Sequence, residues 1–208
     1  MTDPQEPVRA VPYGDRAVLV EAADPAAVPG LRAALAAAPL TGQLDLVPAA
    51  RTLLVVLDRP VTDLDVAALR RLTPAAGERP AAADVELPVV FDGPDLAEVA
   101  RLTGGSAADL VSRLTALRLT VAFSGFAPGF GYLTGLPADL HVPRRPTPRT
   151  RVPAGAVALA GPYAGVYPRP SPGGWQLVGR TDALLFDVDR DPPALLVPGA
   201  AVRFREVR

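Results

Sequence analysis

Gly125-Phe-Ala-Pro-Gly-Phe-Gly-Tyr132 is the first of three blocks that decide how the second half of this chain folds. The second block reads Pro143-Arg-Arg-Pro-Thr-Pro-Arg-Thr-Arg-Val-Pro-Ala-Gly155, and the third reads Ser171-Pro-Gly-Gly-Trp-Gln-Leu-Val-Gly-Arg-Thr181. None of the blocks has helical periodicity. Glycine permits close backbone approach and positive φ, whereas proline fixes φ and removes an N–H donor. Loops so rich in both have a defined shape, and shaped loops that carry arginine and aromatic side chains are typical of binding sites.

Around these blocks the pattern predicts short strands separated by Gly/Pro turns, which favours a β-barrel. The candidate strands are residues 156–160, 165–167, 175–178, 183–187 and 201–207. Before the first block we expect a strand at 85–91, in which Pro88 suits an edge or a bulge, and a helix at 94–102. Ser106 with Asp109 predicts a capped second helix. The apolar face of that helix would carry Leu110, Leu114 and Leu117.

The first third of the chain predicts a small α+β sandwich with helices on one face of a sheet. Strands are expected at 8–11, 17–21, 44–47 and 52–57. Asp24-Pro25 predicts a helix start, with Val28, Leu31 and Leu35 at helical spacing. Thr62 or Asp63 predicts the cap of another helix, whose apolar face would carry Val66, Leu69 and Leu72.

Residues 73–83 mix Pro, Gly, Ala and charge without periodicity, which is typical of a linker. We therefore predict an N-terminal α+β domain over 1–78 and a β-barrel domain over 84–208. The alternative is a surface loop inside a single domain.

The composition of the 208 residues excludes several kinds of chemistry. The formal net charge is −1, which argues against nucleic acid as a partner. The chain has no cysteine, a single histidine, and no lysine, so thiolate, multi-histidine metal and lysine-phosphate sites are not expected. The polar start lacks a signal peptide, and no 18-residue apolar run suggests a membrane span. The expectation is a soluble cytoplasmic protein with no membrane partner.

Because they occur together and in this order, the three blocks resemble the allophanate hydrolase subunit 1 family, which includes the 5-oxoprolinase B subunit and the sporulation kinase inhibitor KipI. The resemblance implies a cyclophilin-like barrel for the second domain. It also implies a protein that works with a homologous C subunit and an A subunit to open the small anionic substrate 5-oxoproline to glutamate. ATP and Mg²⁺ are the implied cofactors. Two other functions remain open: a KipI-like inhibitor of a sensor histidine kinase, and a carboxyltransferase-like subunit that processes allophanate or urea.

The predicted site for substrate or ATP lies where the three blocks converge, and each block has an alternative interpretation. Glycines of the first block either form an anion-binding nest or only shape a loop, while the arginines of the second either clamp an anion or remain solvated or ion-paired. Trp175 is either a core anchor or a cavity wall. The candidate binding residues are Gly125, Phe126, Pro128, Gly129, Phe130, Tyr132, Arg144, Arg145, Arg149, Arg151, Gly173, Gly174, Trp175, Arg180 and Thr181.

Arg180 is the most specific of these predictions. If it binds the substrate, Arg180→Ala should cost about 2–4 kcal/mol in transition-state stabilisation. The alternative is a structural pair with Asp182 or Asp187. No general base can be chosen among the clustered aspartates, and no metal ligands are predicted. His141 suggests packing or a loop hydrogen bond more than catalysis, and Ser171 has no adjacent base.

Overall fold

The computed structural model describes residues 8–75 and 84–208. The chain packs as two compact units, Met1–Glu78 and Arg79–Arg208, called here the N-terminal unit and the second unit. The predicted linker, residues 73–83, lies for the most part outside the described residues. The predicted domain bounds therefore remain a prediction.

The N-terminal unit is an antiparallel sheet with two helices packed against it. Its elements are β1 (Val8–Pro12), β2 (Ala17–Ala22), α1 (Val28–Ala37), β3 (Gln43–Pro48), β4 (Thr52–Leu57) and α2 (Asp63–Arg70). The strand order is β1-β2-β4-β3. Side chains of β4 alternate between buried and partly buried, so one face of the sheet carries the core. Helix α1 packs against β3 and β4, and α2 packs against β1 and β2.

Local signals set both helix starts in this unit. Thr62 accepts a hydrogen bond from the Asp65 N–H, and the Asp65 carboxylate accepts one from the Thr62 N–H, which completes a capping box. Asp24 caps a short 3₁₀ turn, Pro25–Ala27, and α1 follows directly. The predicted helices are therefore present, although Leu72 lies beyond the end of α2.

The second unit is built on a seven-stranded sheet with two helices. Its helices are α3 (Leu96–Leu102) and α4 (Ala107–Ala116). Its strands are β5 (Asp84–Val89), β6 (Leu119–Ser124), β7 (Gly131–Thr134), β8 (Arg149–Val152), β9 (Ala156–Ala160), β10 (Tyr163–Val166), β11 (Ser171–Gly173), β12 (Gln176–Arg180) and β13 (Ala201–Glu206).

The large sheet of this unit is nearly closed into a barrel. Its strand order is β12-β9-β10-β7-β6-β13-β5, while β8 and β11 pair separately as a two-stranded sheet. An isolated bridge between Val90 and Arg180 links the two ends of the seven-stranded order. The fold is thus mixed α and β, with a barrel-like sheet in the second unit. Within the described residues, no helix is long and apolar enough to cross a membrane.

One predicted strand is wrong. Residues 183–187 form no strand and contribute only an isolated bridge between Phe186 and Ala194. The Arg190 guanidinium donates hydrogen bonds to the carbonyls of Leu184, Leu185 and Pro193. The Arg190 side chain therefore satisfies backbone acceptors of this segment, one of which, the Leu185 carbonyl, also accepts the Leu195 N–H.

Other differences lie at the ends of elements or in the glycine-rich region. The helix predicted at 94–102 begins at Leu96, and Leu117 follows the end of α4. The sequence did not single out β6, β7, β8 or β11. Strand β7 contains Tyr132, so that residue belongs to the sheet and not to the loop before it.

Candidate active site

A cluster of aromatic rings forms one end of the second unit. Phe130, Tyr167 and Trp175 are buried, and partly buried Tyr132 packs beside them. The ring of Phe130 meets those of Tyr167 and Trp175 edge-to-face, with centroid distances of 5.4 and 5.5 Å. Such pairs add to the stability that burial of the rings provides. Gly165 makes the packing possible, because a Cβ there would meet Phe130 and Trp175 at 2.9 and 3.1 Å.

Phe126 extends this cluster outward through an unusual backbone turn. Its φ is 67°, and the Ala127 N–H donates to the Gly125 carbonyl at 2.7 Å, which defines a tight three-residue turn. This conformation is rare and strained for a residue with a bulky side chain. The turn leaves the Phe126 ring 56% exposed while its edge contacts Phe130 and Tyr167.

The rings surround a small cavity of about 110 Å³. Its lining is aromatic on most sides, with one guanidinium and a strip of glycine backbone. The lining residues are Phe126, Phe130, Tyr132, Arg144, Tyr167, Gly173, Gly174 and Trp175. Burial raises the pKa of the Tyr167 phenol above its usual range, so its hydroxyl keeps its proton at neutral pH. The cavity therefore combines flat apolar walls with a cation and a phenol.

The arginine segment, residues 143–151, does not act as one cationic clamp. Arg144 lines the cavity, whereas Arg151 is exposed on β8. Arg145 and Arg149 turn to the Asp95 carboxylate, and each donates to its Oδ1 at 2.8 Å. The four arginines thus have at least two different roles, which their spacing did not reveal.

Asp95 is 4% exposed and lies just before α3. Its Oδ2 accepts the Leu177 N–H at 2.7 Å, so the carboxylate joins the arginine segment to β12. Burial alone would raise the pKa of Asp95, but the hydrogen bonds from Arg149 and Leu177 and the charges of Arg149 and Arg145 outweigh it. The net result is a lowered pKa, so the carboxylate is charged at neutral pH.

The structure brings seven of the predicted site residues together and places the others elsewhere. Phe126, Phe130, Tyr132, Arg144, Gly173, Gly174 and Trp175 all line the cavity. Gly125, Pro128 and Gly129 shape the turn beneath it, and Gly129 packs on Leu185 and Phe186.

Arg180 and Thr181 lie outside the cavity lining. Arg180 donates to Asp92 Oδ2 at 2.9 Å, so its partner is neither Asp182 nor Asp187. Thr181 is buried, and its N–H donates to the Gly155 carbonyl. The predicted convergence of the strand end at 180–181 with the other two blocks is therefore not what the structure shows.

Two residues of the site escaped sequence reasoning. Tyr167 follows β10 and lines the cavity, and Asp95 holds Arg145 and Arg149. Asp95 directly precedes α3, but its side chain makes no cap hydrogen bond to that helix. No local signal pointed to partners 50 or more residues away.

Other candidate groups lie outside the cavity lining. His141 Nε2 lies 3.0 Å from the Leu136 carbonyl, a loop hydrogen bond of the kind expected from the sequence. Ser171 Oγ faces the Arg169 carbonyl at 3.4 Å. Within residues 8–75 and 84–208, no three acidic or histidine side chains are grouped as metal ligands would be.

Comparison with known families decides the relationship. The family model described as carboxyltransferase domain, subdomain C and D, matches residues 8–196. The chain belongs to this family. The match extends over both units and confirms the family that the three blocks indicated.

Individual relatives support the same assignment. The chain is 44% identical over 168 residues to the 5-oxoprolinase B subunit of Escherichia coli O157:H7, covering 77% of each chain. It is 43% identical over 123 residues to the 5-oxoprolinase B subunit of Bacillus subtilis strain 168, covering 58% of this chain and 51% of that one.

A solved structure agrees with the fold. The crystal structure of TTHA0988 matches with a TM-score of 0.75 and 38% identity over 93% of this chain. The match spans 40% of the TTHA0988 chain. This family member therefore corresponds to less than half of that longer protein.

Proposed function

We propose that this chain is the B subunit of an ATP-dependent 5-oxoprolinase, and that its aromatic cavity holds the substrate 5-oxoproline. The observation that carries the proposal is Arg144 at the wall of a small, aromatic-lined cavity. The names of the relatives from Escherichia coli and Bacillus subtilis support the same substrate. 5-Oxoproline is a flat five-membered lactam with one carboxylate, and such a molecule needs flat walls and a single cation.

Each group in the cavity has a defined task in this proposal. The Arg144 guanidinium pairs with the carboxylate, for which its planar fork is well suited. The Trp175 and Phe130 rings flank the lactam and cover one side of the ion pair, while Arg144 itself is exposed to solvent. Tyr167 retains its proton and can donate a hydrogen bond to a ligand oxygen. These contacts fix the orientation of the lactam carbonyl, the group whose reaction opens the ring.

The cavity described above does not fit ATP or Mg²⁺ by itself. A cavity of about 110 Å³ is far smaller than a nucleoside triphosphate requires. Mg²⁺ in phosphoryl-transfer sites is held by one or two carboxylates together with the phosphates, and no carboxylate of the described residues lines this cavity. We therefore propose that ATP and its metal are held mainly by the C subunit. In the complex, ATP would supply activation of the lactam oxygen.

Exposed apolar side chains near the cavity support a partner at its mouth. Phe126 is 56% exposed, and the loop that carries it packs through Gly129 on Leu185 and Phe186. Leu184 and Val188 flank that contact and are 61% and 79% exposed. We propose that this surface meets the C subunit, with the A subunit completing the enzyme. We also propose a cytoplasmic location.

The finer fold assignment belongs with this proposal. The near closure of the seven-stranded sheet through Val90 and Arg180 supports a cyclophilin-like barrel. The four-stranded sheet with two helices packed against it supports the α+β sandwich.

The decisive experiment measures ATP-dependent glutamate release from 5-oxoproline by the mixture of all three subunits. Arg144→Ala should raise the KM for 5-oxoproline roughly 10–100-fold, because a charged hydrogen-bonding partner is lost. Arg203→Ala is the matched control, since Arg203 is exposed on β13. Its KM should equal that of the wild type. An unchanged KM in Arg144→Ala would remove the substrate from this cavity.

The same preparation tests whether this chain needs its partners. We expect no turnover by this chain alone and co-elution with the C subunit in size-exclusion chromatography at micromolar concentration. Turnover of 5-oxoproline by the isolated chain would contradict the division of labour proposed above. Inhibition of a sensor histidine kinase by the isolated chain, without any glutamate release by the mixture, would favour the KipI-like function.

A further inference from the structure

We propose that Asp95 is a positioning residue that holds the arginine segment in the register that places Arg144 at the cavity. Asp95 is not among the residues that line the cavity, so it acts through its neighbours. The inference rests on the proposed function only where it concerns 5-oxoproline. The effect on the geometry of the segment stands independently.

The first argument is that several hydrogen bonds near the cavity wall meet at the Asp95 carboxylate. Its Oδ1 accepts hydrogen bonds from Arg145 and Arg149, and its Oδ2 accepts one from the Leu177 N–H. The Asp95 N–H in turn donates to the Leu177 carbonyl at 3.0 Å. One carboxylate therefore connects the start of α3, the arginine segment and β12.

The second argument is that the segment is tied to the cavity wall at points beside these contacts. The Arg145 N–H donates to the Gly174 carbonyl at 2.7 Å, and Gln176 Nε2 donates to the Pro143 carbonyl at 3.1 Å. Arg144 lies between these two anchors. Arg145 is held against Asp95 while its neighbour Arg144 lines the cavity, so the two side chains diverge at this point.

The third argument concerns charge. Arg145 Nε and Arg149 Nη1 are buried, and neither has a hydrogen-bond partner among the described residues. The two guanidiniums thus depend on Asp95 for their only close carboxylate in the described ion pairs. Without that anion the buried Arg145 Nε and Arg149 Nη1 would lie beside no negative charge, which favours a turn of both side chains toward water and weakens the attachment of the segment.

Asp95→Asn is the informative variant because it keeps the size of the side chain. The NH₂ group of the new asparagine would face either the Leu177 N–H or the two guanidiniums. All of these are donors, so the NH₂ group would find no acceptor there. Asp92→Asn is the matched control, since Asp92 is partly exposed and makes a single contact with Arg180. Both substitutions remove one negative charge within the same stretch.

The first measurement is amide hydrogen exchange in the full chain without ligand. In Asp95→Asn, exchange at the Arg145 and Leu177 N–H groups should quicken at least about tenfold, while Asp92→Asn leaves both unchanged. Unchanged exchange in Asp95→Asn, or an equal change in the control, would overturn the positioning role. If Asp95→Asn fails to fold, Arg149→Gln replaces it, with faster exchange expected at Arg145.

The second measurement separates positioning from general destabilisation. Trp175 is the only tryptophan of the chain and lines the cavity, so its fluorescence reports 5-oxoproline binding. Asp95→Asn should raise the Kd about tenfold when Arg144 is present and leave it unchanged in an Arg144→Ala background. The decrease in Tm caused by Asp95→Asn should be equal in the two backgrounds. An equal rise in Kd in both backgrounds would refute action through Arg144.

The fluorescence experiment tests the cavity assignment, and the exchange experiment tests the positioning role separately. If wild-type fluorescence does not respond to millimolar 5-oxoproline, the cavity assignment under the proposed function is wrong. The exchange comparison then still decides whether Asp95 holds the segment, because it requires no ligand.

Discussion

Among the described residues, each unit buries one aspartate, and the two aspartates differ in how far along the chain their partners lie. Asp65 of the N-terminal unit is 6% exposed, and its side-chain partners are Arg59 and Thr62, within 6 residues. Asp95 of the second unit is 4% exposed, and its side-chain partners lie 50, 54 and 82 residues away. Asp65 belongs to the capping box at the start of α2, whereas Asp95 joins the arginine segment to β12.

The comparison shows that a buried charge can be held by partners close in sequence or by partners far apart in sequence. Asp65 accepts two hydrogen bonds from Arg59 and belongs to a capping box, and all of these partners lie within 6 residues of it. Asp95 forms its contacts only after α3, β12 and the arginine segment have come together. A substitution at Asp65 should therefore affect only the N-terminal unit, while a substitution at Asp95 should change the contacts of the cavity wall.

The largest expected effect comes from Gly93→Ala. A Cβ at residue 93 would clash with the backbone of Leu177, Val178 and Gly179, the strand that Asp95 must reach. Because backbone cannot yield as a side chain can, we expect a loss of roughly 3 kcal/mol or more in the second unit. Near-ultraviolet circular dichroism of Trp175 and amide exchange in both units measure this.

Gly125→Ala is the control for that variant, since its Cβ would meet only the Tyr132 ring, at 3.6 Å. It should cost less than about 1 kcal/mol. In Gly93→Ala we expect the exchange protection of β2 and β4 to survive, which would support the predicted independence of the two domains. Loss of protection in both units together would contradict it.

The next effect is smaller and confined to the N-terminal unit. Asp65→Asn removes the charged partner of Arg59 and weakens the capping box, at an expected cost of about 2 kcal/mol. Asp63→Asn is the matched control, because Asp63 is exposed in the same turn. Amide exchange of β2 and β4 measures the free energy of unfolding. Weaker protection in β12 as well would show that the effect is not local.

Lowering the pH should reduce the difference in unfolding free energy between the wild type and Asp65→Asn. The Arg59 hydrogen bond is the main reason that the pKa of Asp65 lies well below its usual range. An unfolded aspartate takes up its proton near pH 4, so below that pH the unfolded state binds more protons and the stability from Asp65 is progressively lost. The gap in unfolding free energy between wild type and Asp65→Asn should be largest at pH 7 and shrink toward pH 2. A gap that stays constant over this range would contradict the linkage.

Arg180→Ala should have the smallest effect. The side chains of Arg180 and Asp92 are 55% and 48% exposed, and such surface pairs contribute up to about 1 kcal/mol. We therefore expect kcat/KM of the assembled enzyme to stay within about twofold of the wild type, in place of the 2–4 kcal/mol expected from the sequence. A loss of a hundredfold or more with unchanged Tm would return Arg180 to the site.

Much of the fold was predictable because its signals are local. The Thr62 and Ser106 caps, the apolar faces of α1, α2 and α4, and the alternation in β13 each depend on residues a few positions apart. The segment at 183–187 was mispredicted because Arg190 satisfies its carbonyls, a contact that strand propensity does not register.

The family and part of the cavity lining could be inferred from sequence alone. It indicated that Phe126, Phe130, Tyr132, Arg144 and Trp175 belong together, because glycine, proline, arginine and aromatic residues alternate there without helical periodicity. The structure places all five around one cavity.

Which arginine faces that cavity could not be inferred without the folded chain. Arg144, Arg145, Arg149 and Arg180 carry the same guanidinium, so side-chain chemistry cannot distinguish them. Their roles follow from which carboxylates come within reach: Asp95 takes Arg145 and Arg149 across 50 and 54 residues, and Asp92 takes Arg180 across 88. Contacts over such separations form only when the sheet closes, since no local pattern encodes the distance between two points on different strands.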